Sequence, residues 1–276
     1  VFTRAATAVG GSILAAELAL EGRVVFHPAG GTHHGRPGRA SGFCYFNDPV
    51  LGIHAFLDAG IRPVYYVDID AHHGDGVEAA FYSTDSVLTV SVHESGEWLF
   101  PGTGAAADIG VGAGRGFSVN VPLPPSAGDD LFLKAMDEVV VPVVKDFAPD
   151  ILVTQLGVDT FEIDPITHLR LTTNGFEKAV SRFREMNLPW VALGGGGYDI
   201  GNVARAWTLA WAIMNDVTAP DIIPEDFMRR KGGIFRNSLL RDEPIVQEVT
   251  PEELRDFESA VAYIRKTILP LIRKGG

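Results

Sequence analysis

Short runs of β-branched and other apolar residues alternate along the chain with longer stretches whose apolar positions recur every three to four residues. An Ala-rich helix is expected from Thr7 to Leu20, followed by a strand from Arg23 to Phe26. Asn47-Asp48-Pro49 sets a polar cap and a first-turn proline ahead of a helix that runs to Ala59, where Gly60 ends it. Further strands are expected at Pro63 to Ile69, Val87 to Val92, Phe117 to Val121, Ile151 to Leu156 and Trp190 to Leu193. Between them the periodicity predicts helices near Val77 to Tyr82, Asp129 to Phe147, Asn174 to Met186 and Val203 to Asn215. Thr250-Pro251-Glu252-Glu253 has the form of a capping box opening a final helix to Ile272. This alternation predicts an α/β fold, a parallel sheet with right-handed crossovers and helices on both faces. Ile151-Leu152-Val153, apolar at every position, fits a strand buried on both sides. Residues 1–276 read as one domain, with 218–276 as its packed tail, and Pro101 to Gly116 reads as a long glycine-rich surface loop.

Composition narrows the partners. With 46% hydrophobic residues, 276 residues suffice for one substantial core. The 35 acidic and 23 basic residues give a net charge of -12, which repels nucleic acid and anionic membrane surfaces and favours cationic or neutral ligands. No apolar run approaches the roughly 20 residues that cross a bilayer, and Val1-Phe2-Thr3-Arg4 opens neither a signal peptide nor a transit segment. A soluble, cytoplasmic protein is the expectation. Cys44 is the only cysteine, so a metal would have to be held by His, Asp or Glu.

The unusual polar residues fall at the carboxyl ends of the expected strands, where open parallel sheets bind ligands. His33 and His34 follow the first strand, Asp68, Asp70 and His72 close the strand from Pro63, Asp159 follows Ile151 to Leu156, and four glycines ending in Tyr198 follow Trp190 to Leu193. Asp70 and His72, two apart on an extended strand end, would project to one side and share a cation, which Asp159 could complete. Two carboxylates and one imidazole suit zinc or another divalent ion with a position open to water. His33-His34, between glycines, can place two imidazoles near that ion, one of them to take a proton, with Asp68 and Asp75 as carboxylates able to orient the rings. Tyr198 could donate to a developing oxyanion. His27, His54, His93 and His168 read as structural hydrogen bonders, and Cys44 as a packed thiol.

These residues lie in blocks: Gly30-Gly31-Thr32-His33-His34, Ser41 to Asp48, Asp68 to Gly76, Phe100-Pro101-Gly102-Thr103-Gly104, Gly157-Val158-Asp159-Thr160 and Leu193 to Tyr198. In order, from about Val1 to Asn215, the set resembles the zinc-dependent histone deacetylase superfamily. Tyr198-Asp199-Ile200 and Ala204-Arg205-Ala206-Trp207 are most similar to its bacterial acetoin-utilisation-type branch. The resemblance implies an arginase/deacetylase-like sheet, one zinc per chain on Asp70, His72 and Asp159, and an acid/base pair of His33, backed by Asp68, and His34, backed by Asp75. It further implies that His34 deprotonates the activated water, that Tyr198 polarises the acetyl carbonyl, and that a protonated histidine then donates to the leaving amine. Gly42, Phe43 and Phe100, with Ile166 and Gly196, would line a narrow tunnel for the acyl-lysine stem. Structural potassium or sodium ions would lie near Asp68, Ser91 and Val92 and near Phe81, Thr84 and Val87.

The substrate implied is an acetylated protein, with a small acetylated amine as the alternative. Ile166 stands where polyamine-selective relatives carry an acid, which favours acetyl-lysine. An arginase-like two-manganese site is disfavoured because Gly74 stands where the second bridging carboxylate belongs. A silent binder of acetylated ligands is disfavoured because none of the named positions is substituted. Family members carry about a hundred residues ahead of the point where this chain starts, so an N-terminally incomplete domain is expected. Nothing in the sequence fixes the oligomeric state.

Overall fold

The computed structural model of the protein describes residues 1–246 and 249–272. Its elements run in the order α1 (Phe2–Leu20), β1 (Val24–His27), α2 (Asp48–Asp58), β2 (Val64–Asp68), α3 (Asp75–Phe81), β3 (Val87–Glu94), β4 (Ser118–Leu123), α4 (Asp129–Ala135), α5 (Val141–Phe147), β5 (Ile151–Gln155), α6 (Thr173–Glu185), β6 (Trp190–Leu193), α7 (Ile200–Met214), α8 (Glu225–Lys231), α9 (Pro251–Tyr263) and α10 (Leu269–Ile272). The six strands form one sheet in the order β1-β6-β5-β2-β3-β4, every pair parallel.

Strand polarity then fixes the site. Asp68 at the end of β2 lies level with Ser91 of β3 and Gln155 of β5, Gln155 lies level with Leu193 of β6, and Leu193 with His27 of β1. All the loops that carry candidate residues therefore leave one edge together.

Alternate side chains of β2 feed two cores, as the two-residue period of a strand requires. Val64 and Tyr66 pack with Ala15 and Ala16 of α1, Ile53 and Phe56 of α2 and Val77 and Phe81 of α3. Tyr65 and Val67 pack on the opposite side with Phe132, Phe176, Phe183 and Ala206, and with Phe257 and Ile264 from the C-terminal part. Burying a Val, Leu, Ile or Phe side chain is worth about 1.5–3 kcal/mol, so the central strands anchor the molecule.

Element boundaries moved for local reasons. The first helix starts at Phe2, with no side-chain cap, because its alanines continue the helix without one. The helix expected from Val203 starts at Ile200, since the Asp199 side chain accepts from the Asn202 N–H. The helix expected from Asp129 to Phe147 is interrupted by a π turn at Met136–Val140. Pro142 has no N–H and would crowd the Glu138 carbonyl, and the wider turn relieves that clash. Pro270 stands in the same relation to a π turn at Ile264–Ile268. The capping box at Thr250 and Glu253 is formed. The tail also contains α8, which had no sequence-based expectation, and Ala219, Ile223 and Leu240 pack on Leu209 and Ala212 of α7. The tail's last four residues, 273–276, lie outside the described residues. Among the described residues no helix is long and apolar enough to cross a membrane.

Candidate active site

The metal-ligating expectation converges on one point, though not by the route expected. Strand β2 ends at Asp68, so Asp70 and His72 are not on an extended strand. They meet through a turn in which the Asp70 Oδ1 accepts from the His72 N–H at 2.9 Å, a local side-chain-to-backbone bond typical of aspartate. His72 Nδ1 then lies 3.1 Å from Asp70 Oδ1 and 3.0 Å from Asp159 Oδ2. Asp159 arrives from the loop after β5 and is held by the Ala71 N–H donating to its Oδ1 at 2.9 Å. The second Asp70 oxygen accepts from Gln155 Nε2 and from the Gly196 N–H, each at 2.7 Å. One donor atom from each of Asp70, His72 and Asp159 lies within 4.8 Å of the others, all buried. Two carboxylates and an imidazole, oriented by surrounding donors, fit the three-ligand set of a catalytic zinc. A Cβ at Gly196 would fall on the Asp159 carboxylate, so a side chain there would have to displace it.

The electrostatics describe a pocket short of positive charge. Burial raises the Asp159 carboxyl to about 7, reinforced by the neighbouring charge of Asp70. Burial opposes ionisation of Asp70 too, yet His33, His72 and Gln155 hold it well below the usual carboxylate range. His72, despite burial, is raised to about 10 by Asp159 and Asp70. A divalent cation held by these groups would compete with protons for the same oxygens and nitrogen.

Beside it stand two imidazole–carboxylate pairs. His33 Nδ1 lies 2.7 Å from Asp68 Oδ2, His34 Nδ1 lies 2.7 Å from Asp75 Oδ1, and the two Nε2 atoms face each other at 3.0 Å. With an Nδ1–H given to each carboxylate, the two Nε2 atoms are the positions left to take up or give away a proton. Burial lowers His33, but Asp68 and Asp70 outweigh it and raise it to about 9. Burial and the charge on His33 push His34 below its ordinary value. His33 is therefore the proton holder and His34 the neutral ring. The pairs are supported differently: the Tyr66 hydroxyl donates to Asp68 Oδ2 at 2.6 Å, whereas Arg36 Nη2 donates to Asp75 Oδ2 at 2.6 Å. Asp48, at the start of α2, fastens the histidine loop by accepting from the N–H groups of Gly31 at 3.0 Å and Thr32 at 2.8 Å. Gly31 has φ +97 there, against the Gly194 carbonyl, which leaves no room for a side chain.

Tyr198 stands at the opening, 40% exposed, its N–H donating to Asp164 Oδ2 at 2.8 Å. Burial, with the charges of Asp159 and Asp70, raises its phenol, so the hydroxyl keeps its proton as a donor. Phe43 faces it with ring centroids 6.1 Å apart. Phe100 sets its edge against His34 at 5.1 Å, and a Cβ at Gly42 would strike the same imidazole. Ile166 joins this rim through its N–H, which donates to Asp164 Oδ1 at 3.1 Å. Phe43 is 81% exposed, so the outer wall lies open while Phe100 and Gly42 close on the histidines.

Asp68 and Ser91 are neighbours across β2 and β3, with Val92 next in line. Phe81, Thr84 and Val87 share the turn between α3 and β3, where the Thr84 N–H donates to the Phe81 carbonyl at 3.2 Å. His27 and His93 make buried or half-buried hydrogen bonds to the carbonyls of Ala8 and Gly104, His54 packs beside Phe81, and His168 pairs with Glu94. The Cys44 thiol is pushed up to about 12 by burial, which makes it inert. Sequence reasoning missed Gln155, Arg36 and Tyr66. Gln155, a polar residue ending an apolar strand level with Asp68, carried a readable signal; Arg36 and Tyr66 did not.

The histone deacetylase domain profile matches residues 1–214, the segment that carries every residue of this site. The chain belongs to the histone deacetylase family. Over 223 residues it is 44% identical to histone deacetylase 8 of Xenopus laevis, a match covering 80% of this chain and 68% of that one. Over 229 residues it is 41% identical to acetoin utilization protein AcuC of Bacillus subtilis, covering 80% and 59%. The crystal structure of an HDAC homologue from Aquifex aeolicus superposes with a TM-score of 0.85 at 37% identity, over 94% of this chain and 73% of that one. The parallel sheet and the acetoin-utilisation-type resemblance expected from sequence agree with these findings. The match spans 59% of the AcuC length and 43% of human histone deacetylase 1.

Proposed function

We propose that this family member hydrolyses the acetyl amide of acetyl-lysine side chains in proteins, with one zinc ion, releasing acetate and the free amine. The observation that carries the reading is the joined pair of histidines, each seated on its own carboxylate, beside a buried two-carboxylate, one-imidazole set. Asp70, His72 and Asp159 would hold the zinc, which supplies a Lewis acid able to acidify water and polarise a carbonyl. His34, the neutral ring, accepts the proton of the attacking water while Asp75 keeps its Nδ1 proton in place. His33, fixed by Asp68, holds the proton that is delivered to the leaving amine. The Tyr198 hydroxyl donates to the oxygen on which negative charge develops, a contact stronger in the transition state than in the ground state.

Phe43, Phe100, Gly42, Gly196 and Ile166 would flank the methylene stem of the acyl-lysine. Ile166 offers no charge to the inner ammonium of a polyamine, which supports a protein substrate over a small acetylated amine. The acidic chain would attract lysine-rich targets in the cytoplasm and avoid nucleic acid and membranes. Potassium or sodium near Asp68, Ser91 and Val92 and near Phe81, Thr84 and Val87 would act structurally, and residues 1–276 would belong to a single catalytic domain. The test is turnover of an acetyl-lysine peptide against an acetylpolyamine, with chelator and with zinc added back. Peptide hydrolysis lost on chelation and restored by zinc supports the reading. Preference for the polyamine overturns the substrate assignment, and metal-independent turnover overturns the zinc.

A further inference from the structure

Beyond the reacting groups, one ionisable pair is built into the rim of the same site. Glu94, the last residue of β3, has a fully buried carboxylate, yet its partner His168 has a side chain 59% exposed. Glu94 Oε1 lies 2.6 Å from His168 Nδ1, and Oε2 accepts from the His168 main-chain N–H at 2.9 Å. The clamp holds both the ring and the backbone of that residue. A buried carboxylate is costly to desolvate, and here its two oxygens serve to fix one surface imidazole.

That imidazole lies on the segment that shapes the mouth. Two residues earlier, Ile166 shares the Asp164 carboxylate with the Tyr198 N–H. One residue earlier, the Thr167 hydroxyl donates to the Asp159 carbonyl. On the other strand, the Glu94 N–H donates to the carbonyl of Ala71, between the two candidate ligands Asp70 and His72, at 2.9 Å. Phe43, Phe100, Ile166 and Tyr198 are exposed side chains that offer wide apolar contact. An acyl-lysine stem threaded between them leaves its peptide backbone outside, where it needs a polar partner.

We propose that the Glu94–His168 pair is a subsite for the substrate's main chain: with its Nδ1–H given to Glu94, His168 presents Nε2 as an acceptor for a peptide N–H flanking the acetyl-lysine. This rests on the deacetylase reading above and adds to it a reason for selecting peptides over acetylated amines that have no main chain. A hydrogen bond of this kind is worth about 0.5–1.5 kcal/mol net, or ~2- to 13-fold in binding.

The experiment is a cycle in KM. One arm replaces His168 with Asn, which keeps a donor for Glu94 but withdraws the outward nitrogen; the other N-methylates, in turn, the two peptide amides nearest the acetyl-lysine. The ratio of peptide KM to the KM of an acetylated alkylamine should rise by about 3- to 10-fold for His168→Asn and for one of the methylated peptides. Combining both should cost no more than either alone. Because methylation is read on the unaltered protein, a fold defect in the variant leaves the test intact. Additive losses, or equal KM for methylated and unmethylated peptides, would overturn the subsite. Absence of turnover on peptide and alkylamine alike would instead sink the deacetylase reading.

Discussion

Replacing Tyr198 with Phe deletes one oxygen and leaves the ring. Its phenol is pushed up by burial and by the charges of Asp159 and Asp70, so the hydroxyl remains a donor throughout the pH range in which His34 can accept a proton. Withdrawing one donor aimed at a developing oxyanion costs ~100- to 1,000-fold in kcat, equivalent to about 2.7–4 kcal/mol. Neither the three candidate metal ligands nor their supporting groups Gln155 and Ala71 hydrogen-bond to the Tyr198 hydroxyl. Metal content should therefore be that of the unaltered protein. The ring is 40% exposed and keeps its contact with Phe43, so the unfolding free energy should shift by less than about 0.5 kcal/mol. The assay pairs single-turnover hydrolysis of an acetyl-lysine peptide with zinc quantified per chain in the same preparation. Unchanged turnover would refute the oxyanion role. A fall in bound zinc proportional to the fall in rate would show that the residue acts through the metal site instead.

Other outcomes follow from the same geometry. Asp75→Asn should lower kcat by ~10- to 100-fold with zinc retained, because Arg36 claims the single amide oxygen and leaves the NH2 group facing His34 Nδ1, so its tautomer is no longer fixed; an equal loss of zinc in direct titration would contradict this. Gly196→Ala should instead weaken zinc binding, since the new Cβ displaces the Asp159 and Asp70 carboxylates, and retained affinity would show that the loop can yield. Without metal, stability should fall as pH rises above about 6.5, where the opposing gain from the depressed His34 and His93 is complete. His33 and His72, raised from 6.5 to about 9 and about 10, contribute stability that is complete below 6.5 and gone above those values, and Asp159 adds the same sign through about 7. Zinc should flatten that decline, because His72 and Asp159 are deprotonated in the complex; parallel melting curves with and without zinc would argue against it.

The β-branched runs and helical periodicities were enough to predict a parallel α/β sheet, because strand burial on both faces demands uninterrupted apolar sequence and the crossovers demand amphipathic helices. The histidines, Asp70, His72, Asp159 and Tyr198 were legible for the same reason: in such a sheet, polar residues just past the strand ends have one edge to share. Local chemistry moved boundaries without altering that plan, as the π turns near Pro142 and Pro270 show.

What the sequence could not determine was which residue supports which. Asp70 and His72 meet through a turn that closes on the Asp70 side chain, where an extended strand was expected. Gln155 supports Asp70 from the neighbouring strand across 85 residues of chain. Arg36 reaches Asp75, and Glu94 reaches His168, across loops whose paths no local pattern encodes. Period and composition are properties of neighbours along the chain, so they determined the sheet and the edge at which chemistry gathers. Hydrogen-bond partnership depends on register between distant strands and on loop closure, so only the tertiary structure decided how the protons and carboxylates of this site are shared.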